Sequence, residues 1–158
     1  MMGYLGRPEK TAEVLQEGWY NTGDIAMIDE DGFITITDRL SRFSKIGGEM
    51  VPQLLIEDAL HKALGAIEQT MVVIGVPDEQ KGEKLIVLHT ALEVTVDELL
   101  KRLCDANLPK LWLPRKQNFF PVEALPWLGV GKLDLKQVKE IAQSLSAAVP
   151  SSSSEPSG

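Results

Sequence analysis

Two uninterrupted apolar runs, Met71-Val72-Val73-Ile74-Gly75-Val76 and Leu85-Ile86-Val87-Leu88-His89, constrain this chain more than anything else in it. A strand with one wet face alternates apolar and polar residues; these runs do not alternate. With the polar loop 77–83 between them, they predict two central strands of a sheet covered by helices.

The flanking sequence supplies those helices. Pro52 suits the first turn of a helix, Leu55, Ile56, Ala59, Leu60, Ala63 and Leu64 make a stripe at helical spacing, and Gly65 is placed to stop it. Thr95-Val96-Asp97-Glu98 has the capping-box form ahead of Leu99, Leu100 and Leu103, which starts a second helix. Phe119-Phe120-Pro121-Val122 reads as a third strand, and Asp134 caps a last helix with the stripe Leu135, Val138, Ile141, Ala142 and Leu145. Further upstream, Ile25-Ala26-Met27-Ile28 and Phe33-Ile34-Thr35-Ile36 flank Asp29-Glu30-Asp31-Gly32, a β-hairpin turning at an Asp-Gly step. Residues 1–20 hold helix formers around Lys10 to Leu15 but too few apolar positions to bury anything alone. They read as a docking segment without its partner.

The expected fold is therefore α/β (α+β): an N-terminal β-hairpin, then a small, roughly three-stranded sheet flanked by helices. The predicted divisions are 1–40, 41–146 and a serine-rich disordered tail, 147–158, with a hinge near residues 38–42.

Charge and cysteine content exclude several functions. A net charge of −7 argues against a nucleic-acid surface, which needs clustered Lys and Arg with few acidic neighbours. Lys101, Arg102, Lys110, Arg115 and Lys116 are the place to look for a local basic patch, although a solvated charged face is the favoured reading of that segment. One cysteine, Cys104, forbids an internal disulfide, and with only His61 and His89 it offers no metal-ligand spacing. The acidic turn at 29–32 lacks the EF-hand spacing for calcium. No apolar run reaches the roughly 18 residues of a bilayer span, and no secretory signal opens the chain, so a cytoplasmic location is expected.

Three short segments carry candidate chemistry. In Gly18-Trp19-Tyr20-Asn21-Thr22-Gly23-Asp24, the Asp24 carboxylate sits where a turn meets a strand and can accept from two vicinal hydroxyls. In Asp38-Arg39-Leu40-Ser41-Arg42-Phe43-Ser44-Lys45-Ile46-Gly47-Gly48, the two arginines offer planar charged forks, and Gly47-Gly48 lets backbone come close to a ligand. In Pro126-Trp127-Leu128-Gly129-Val130-Gly131-Lys132, Lys132 can place a compact positive charge on an anion. This is no P-loop: the glycine spacing is too short and Leu133 stands where a magnesium-binding hydroxyl is needed. Taken alone, the first segment reads as a turn, the second as a charged linker followed by a short hairpin over 44–51 with two glycines at its bend, and the third as a surface loop.

Their order changes that. Gly3-Tyr4-Leu5-Gly6-Arg7-Pro8-Glu9-Lys10-Thr11, Tyr20 to Asp24, Asp38-Arg39 leading to Gly47-Gly48, and Gly129-Val130-Gly131-Lys132 together resemble the C-terminal third of the adenylate-forming superfamily of acyl-CoA synthetases, adenylation domains and luciferases. The resemblance implies a two-step ligase. A carboxylate attacks ATP to give an acyl-adenylate and pyrophosphate, and a phosphopantetheine thiol then takes the acyl group. By that likeness Asp24 and Arg39 contact ATP or AMP, Lys132 is the catalytic residue of adenylation, and Gly47 and Gly48 line the thiol's tunnel. The domain turns between the two steps about a residue matching Ser41, a departure from the Asp or Lys usual there. Magnesium enters with ATP and is held mainly by a larger N-terminal domain.

Residues 42–52, followed by Ile56-Glu57, look most like the acyl-[acyl carrier protein] synthetase part of bifunctional 2-acylglycerophosphoethanolamine acyltransferases. That implies a fatty acid substrate and a tie to phospholipid metabolism, with the parent protein open to association with the inner membrane. An acyl carrier protein would be drawn to Arg42, Lys45, Arg115 and Lys116, with coenzyme A as the alternative acceptor. The chain alone is expected to be inactive. A carrier-binding module without chemistry and a luciferase-type oxidative enzyme are the rival readings.

Overall fold

The computed structural model describes residues 5–148, apart from the side chains of Thr37 and Asp38. Gly3-Tyr4, the Asp38 side chain and the tail from 149 onward lie outside it. The chain forms two compact units that divide between Arg42 and Phe43.

The first unit opens with α1 (Pro8–Val14), which buries no side chain. A two-residue pair, β1 (Leu15–Gln16) with β2 (Trp19–Tyr20), follows. Its turn residues Glu17 and Gly18 both have positive φ, the backbone that suits a tight hairpin. The predicted hairpin is present as β3 (Asp24–Ile28) and β4 (Ile34–Arg39), in antiparallel register from Asp24↔Arg39 to Ile28↔Ile34 with an irregularity after Ile25. Asp29 closes its turn, its carboxylate accepting from the N–H groups of Asp31 and Phe33. By that register Ala26, Ile28, Ile34 and Ile36 share one face, and all four are exposed. A 3-10 turn, Leu40–Arg42, ends the unit.

The second unit is a three-layer arrangement around one sheet. Its strands are β5 (Phe43–Ile46), β6 (Glu49–Pro52), β7 (Met71–Asp78), β8 (Gly82–His89) and β9 (Phe119–Pro121). β7 and β8 pair antiparallel along their whole length, from Met71↔His89 to Asp78↔Gly82. The other edge of β8 is shared: β5 meets its first residue at Ile46↔Gly82, and β9 runs parallel to its last three. The sheet thus holds five strands where about three were expected, because the hairpin β5–β6 joins it at Gly82.

The apolar runs are buried on both sides, but only β8 is the central strand expected of both, since β7 lies at an edge of the sheet. Met71, Val73, Leu85 and Val87 face α2 (Gln53–Leu64) and α3 (Val96–Cys104) through Ile56, Leu60, Leu99 and Leu103. Val72, Ile74, Val76, Ile86 and Leu88 face α4 (Leu135–Ala148) through Val138 and Ala142. A period of two along the strands therefore divides one apolar run between two cores.

The helix ends follow their sequence signals. Pro52 is the N-cap of α2 and Gly65 its left-handed C-cap. Thr95 accepts from the Glu98 N–H at the start of α3, and Asp134 accepts from the Gln137 N–H at the start of α4. Along α2, Gln53, Glu57 and His61 lie four residues apart on one row and reach the outer edge of β7. Glu57 accepts from the Val73 N–H at 3.0 Å, and His61 Nε2 accepts from the N–H groups of Thr70 and Met71. The neighbours of the Gln53 amide orient it so that its oxygen accepts from the Gly75 N–H and the Ser44 hydroxyl, while its nitrogen donates to the Val73 carbonyl. Side chains of a helix thereby do for an edge strand what another strand would do.

Candidate functional site

Asp24 is placed by local hydrogen bonds. The Asn21 side chain accepts from the Gly23 N–H and the Thr22 hydroxyl from the Asp24 N–H, so successive side chains fix the turn. The Leu40 N–H closes it from the far strand by bonding the Gly23 carbonyl at 2.8 Å. Asp24 and Arg39 face one another across β3 and β4, and Arg39 Nε donates to Asp24 Oδ1 at 3.0 Å. The carboxylate is mostly covered and the guanidinium mostly open, at 19% and 69% side-chain exposure. Residues drawn from separate motifs thus form one charged pair at the open end of the hairpin.

Gly47 and Gly48 form the two-residue turn between β5 and β6. Both have positive φ, 58° and 88°, where side chains are strained, and a Cβ on either would meet only open space. The pair is therefore required by backbone shape. Ser41, the expected pivot, is exposed within the 3-10 turn that separates the units.

Lys132 stands on a loop closed at its neck. Trp127 and Leu133 form an antiparallel bridge, the Leu128 N–H bonds the Lys132 carbonyl at 2.7 Å, and the Asp134 N–H bonds the Pro126 carbonyl at 2.9 Å. Gly131, at φ 75°, lets the tip turn back so that its N–H reaches the Leu128 carbonyl. The Lys132 side chain is exposed and makes no ion pair among the described residues.

The second unit keeps Lys132 and Gly47-Gly48 apart. The hairpin joins β8 at Gly82, whereas the chain leading to Lys132 leaves β9 beside His89, where the Val122 N–H bonds the His89 carbonyl. Those ends of β8 are seven residues apart, about 23 Å at strand rise. Helix α4 repeats the separation: it starts just after Lys132, and its last turn, Ser146 and Ala147, lines a cleft of about 720 Å³ with Ile46 and Lys81.

The expected carrier-protein patch needs correction at Arg42. Its side chain is buried, with 5% exposure, and cannot face a partner in this conformation. Lys45, Arg115 and Lys116 are exposed, though Lys116 is paired with Asp97. Arg115 lines the same cleft as Lys81, Lys84 and Lys110, together with Asp78, Glu79 and Glu83. Both histidines are engaged in the fold: His89 Nδ1 contacts the Thr90 carbonyl, and its ring lies against Phe119.

Sequence reasoning missed the residues that hold the Gly47-Gly48 turn. The Lys45 N–H bonds the Glu83 carboxylate, the Gly47 N–H bonds the Lys81 carbonyl at 2.9 Å, and Trp112 Nε1 donates to Glu49 Oε1 at 3.2 Å. One signal was available, since a tryptophan placed among apolar loop residues needs a partner for its N–H.

No family model matches the chain. Among curated proteins it is similar to 4-hydroxybutyrate–CoA ligase 2 of Metallosphaera sedula, with 35% identity over 84% of the chain and 24% of that protein. It is also similar to the long-chain-fatty-acid–CoA ligase of Salmonella typhimurium, with 35% identity over 90% of the chain and 25% of the relative. Among solved structures, ATP-bound MatB from Rhodopseudomonas palustris superposes with a TM-score of 0.72 and 26% identity, over 90% of the chain and 28% of that protein. This is the fold of the C-terminal domain of the adenylate-forming enzymes. Its homologues are AMP-forming acyl ligases, and the chain spans about a quarter of the length of the curated relatives it matches.

Proposed function

We propose that the chain is the movable C-terminal domain of an ATP-dependent acyl ligase that makes an acyl-adenylate and then passes the acyl group to a thiol. The observation that carries this reading is the placement of two candidate chemistries, the Lys132 loop and the Gly47-Gly48 hairpin, toward opposite ends of one sheet. A domain built this way can offer one end to a fixed site during adenylation and the other during thioester formation. Ser41, in the 3-10 turn between the units, is where such a motion would pivot.

In the first step a carboxylate oxygen of the acid bonds to the α-phosphorus of ATP, and pyrophosphate leaves with the electrons of the broken P–O bond. Negative charge builds on the phosphate oxygens, and the exposed ammonium of Lys132 supplies an opposing charge. Removing such a group from a water-poor cleft costs about 3 to 4 kcal/mol, or roughly 100- to 1000-fold in rate. Asp24 suits the ribose, because its mostly covered carboxylate is an acceptor held by a fixed turn, and Arg39 both orients it and offers donors to the nucleotide. In the second step the thiolate sulfur bonds to the acyl carbon, and AMP departs. Magnesium would arrive with ATP, bound mainly by the larger domain that this reading requires.

A fatty acid is the proposed substrate, supported by the likeness to a long-chain-fatty-acid–CoA ligase. The phosphopantetheine thiol of an acyl carrier protein is the proposed acceptor, supported by the sequence likeness at 42–52 and by exposed Lys45, Arg115 and Lys116. Free coenzyme A is the second reading, favoured by the relatives named as CoA ligases and by the burial of Arg42. The bifunctional acyltransferase parent belongs to the same proposal. The test is Lys132→Ala in the full-length protein, with adenylate formation and thioester formation from supplied adenylate measured separately. The first should fall about 100- to 1000-fold with little change in the second; equal losses would refute the role of Lys132. Pyrophosphate exchange by this chain alone would refute the need for a second domain.

A further inference from the structure

Resting on the reading just proposed, we infer that Trp112 is a positioning residue for the thioester half-reaction, acting through Glu49 on the Gly47-Gly48 turn. A two-residue turn of glycines has the least intrinsic stiffness available to a backbone. Both glycines are exposed, and no side chain from the turn itself can brace it. Its shape must be imposed from outside.

The structure supplies three braces from two separate segments, the β7–β8 hairpin and the 3-10 turn Lys110–Trp112. The β7–β8 hairpin provides two: the Lys81 carbonyl in its turn takes the Gly47 N–H at 2.9 Å, and the Glu83 carboxylate near the start of β8 takes the Lys45 N–H. Gly82 between them approaches so closely that a Cβ on it would sit 3.4 Å from the Lys45 carbonyl oxygen. These contacts fix the β5 side of the turn. The β6 side has a different brace, the indole N–H of Trp112 on the Glu49 carboxylate at 3.2 Å. Trp112 comes from the 3-10 turn Lys110–Trp112, and its half-buried ring belongs to the apolar border of the core on the α2 and α3 side. The indole therefore has a rigid base, and the flexible Glu49 side chain is the part being held.

The braces are distinguishable by experiment because only the Trp112 bond joins two side chains. In Trp112→Phe the ring remains and the donor is lost. Glu49→Ala removes the acceptor, while Glu49→Gln keeps an oxygen that can accept from the indole.

The experiment uses the full-length ligase. Pyrophosphate exchange reports adenylation, and thioester formation from supplied acyl-adenylate is measured against thiol concentration. Trp112→Phe should slow thioester formation at sub-saturating thiol about fivefold, the effect of one lost hydrogen bond, and leave pyrophosphate exchange within twofold. Glu49→Ala should cost the same in thioester formation, Glu49→Gln should recover most of it, and the Glu49→Ala/Trp112→Phe double variant should be no slower than either single one. Multiplying losses in the double variant, or an equal loss of both half-reactions in Trp112→Phe, would overturn the positioning role while leaving the ligase reading intact. Absence of pyrophosphate exchange in the unaltered protein would instead overturn the ligase reading, and this inference with it.

Discussion

Replacing Glu57 with methionine should destabilise the second unit by about 2 kcal/mol, whereas glutamine at the same position should cost less than about 1 kcal/mol. The Glu57 carboxylate is buried and accepts from the Val73 N–H at 3.0 Å and the Gln69 amide at 2.7 Å. Gln69 is exposed and turns to water when its partner goes. Val73 is fully buried, so its N–H has nowhere to turn, and an orphaned buried donor costs about 1 to 3 kcal/mol. Methionine fills nearly the same space without an acceptor, which separates the lost bond from a lost volume. Urea unfolding followed by circular dichroism reads the difference: at a slope near 2 kcal/mol per molar, the methionine midpoint falls by about 1 M. Native-state hydrogen exchange of the Val73 amide should accelerate in Glu57→Met and stay slow in Glu57→Gln. Equal midpoints for the two variants would refute the claim that the α2 row seals the edge of β7.

Two further outcomes follow from the packing. Gly75→Ala places a Cβ 2.1 Å from the Ser44 hydroxyl and should cost about 1 to 3 kcal/mol in urea unfolding, part of it recovered by adding Ser44→Gly. Changing Ile28, Ile34 and Ile36 together to threonine should reduce self-association of this chain in sedimentation velocity while leaving the unfolding midpoint of the second unit unchanged, since all three are exposed here.

The second unit was legible because its local signals agree with its packing. Thr95, Asp134 and Gly65 sit at helix ends where their chemistry is needed, and the unbroken apolar runs become strands between two cores. The attachment of β5 and β6 to the sheet was not legible, because a single backbone pairing, Ile46↔Gly82, recruits their hairpin and nothing in either residue type announces it. The part played by Gln53, Glu57 and His61 was hidden for a related reason. Their four-residue spacing is visible, but the row gains meaning only once β7 is known to be an edge. At the candidate site the glycines and Lys132 were found as motifs. The Asp24–Arg39 pair needed the register of β3 and β4, and Arg42 was misplaced because composition cannot tell a buried arginine from an exposed one.

The two units stand in different energetic positions. The second meets its main requirements within itself: each sheet face has a core, the outer edge of β7 is bonded by α2, and its glycine turn is braced by the β7–β8 hairpin and by Trp112. The first does not, since α1 buries nothing and the hairpin leaves Ala26, Ile28, Ile34 and Ile36 open on one face. A two-stranded hairpin alone is marginal in water, and three aligned isoleucines are a costly surface to leave wet. Yet this unit holds Asp24 and Arg39, whose pairing depends on the hairpin's register. The nucleotide-facing half of the proposed chemistry therefore rests on the unit with the less buried hairpin. Lys132 and the Gly47-Gly48 turn belong to the other unit, whose sheet has a core on each face.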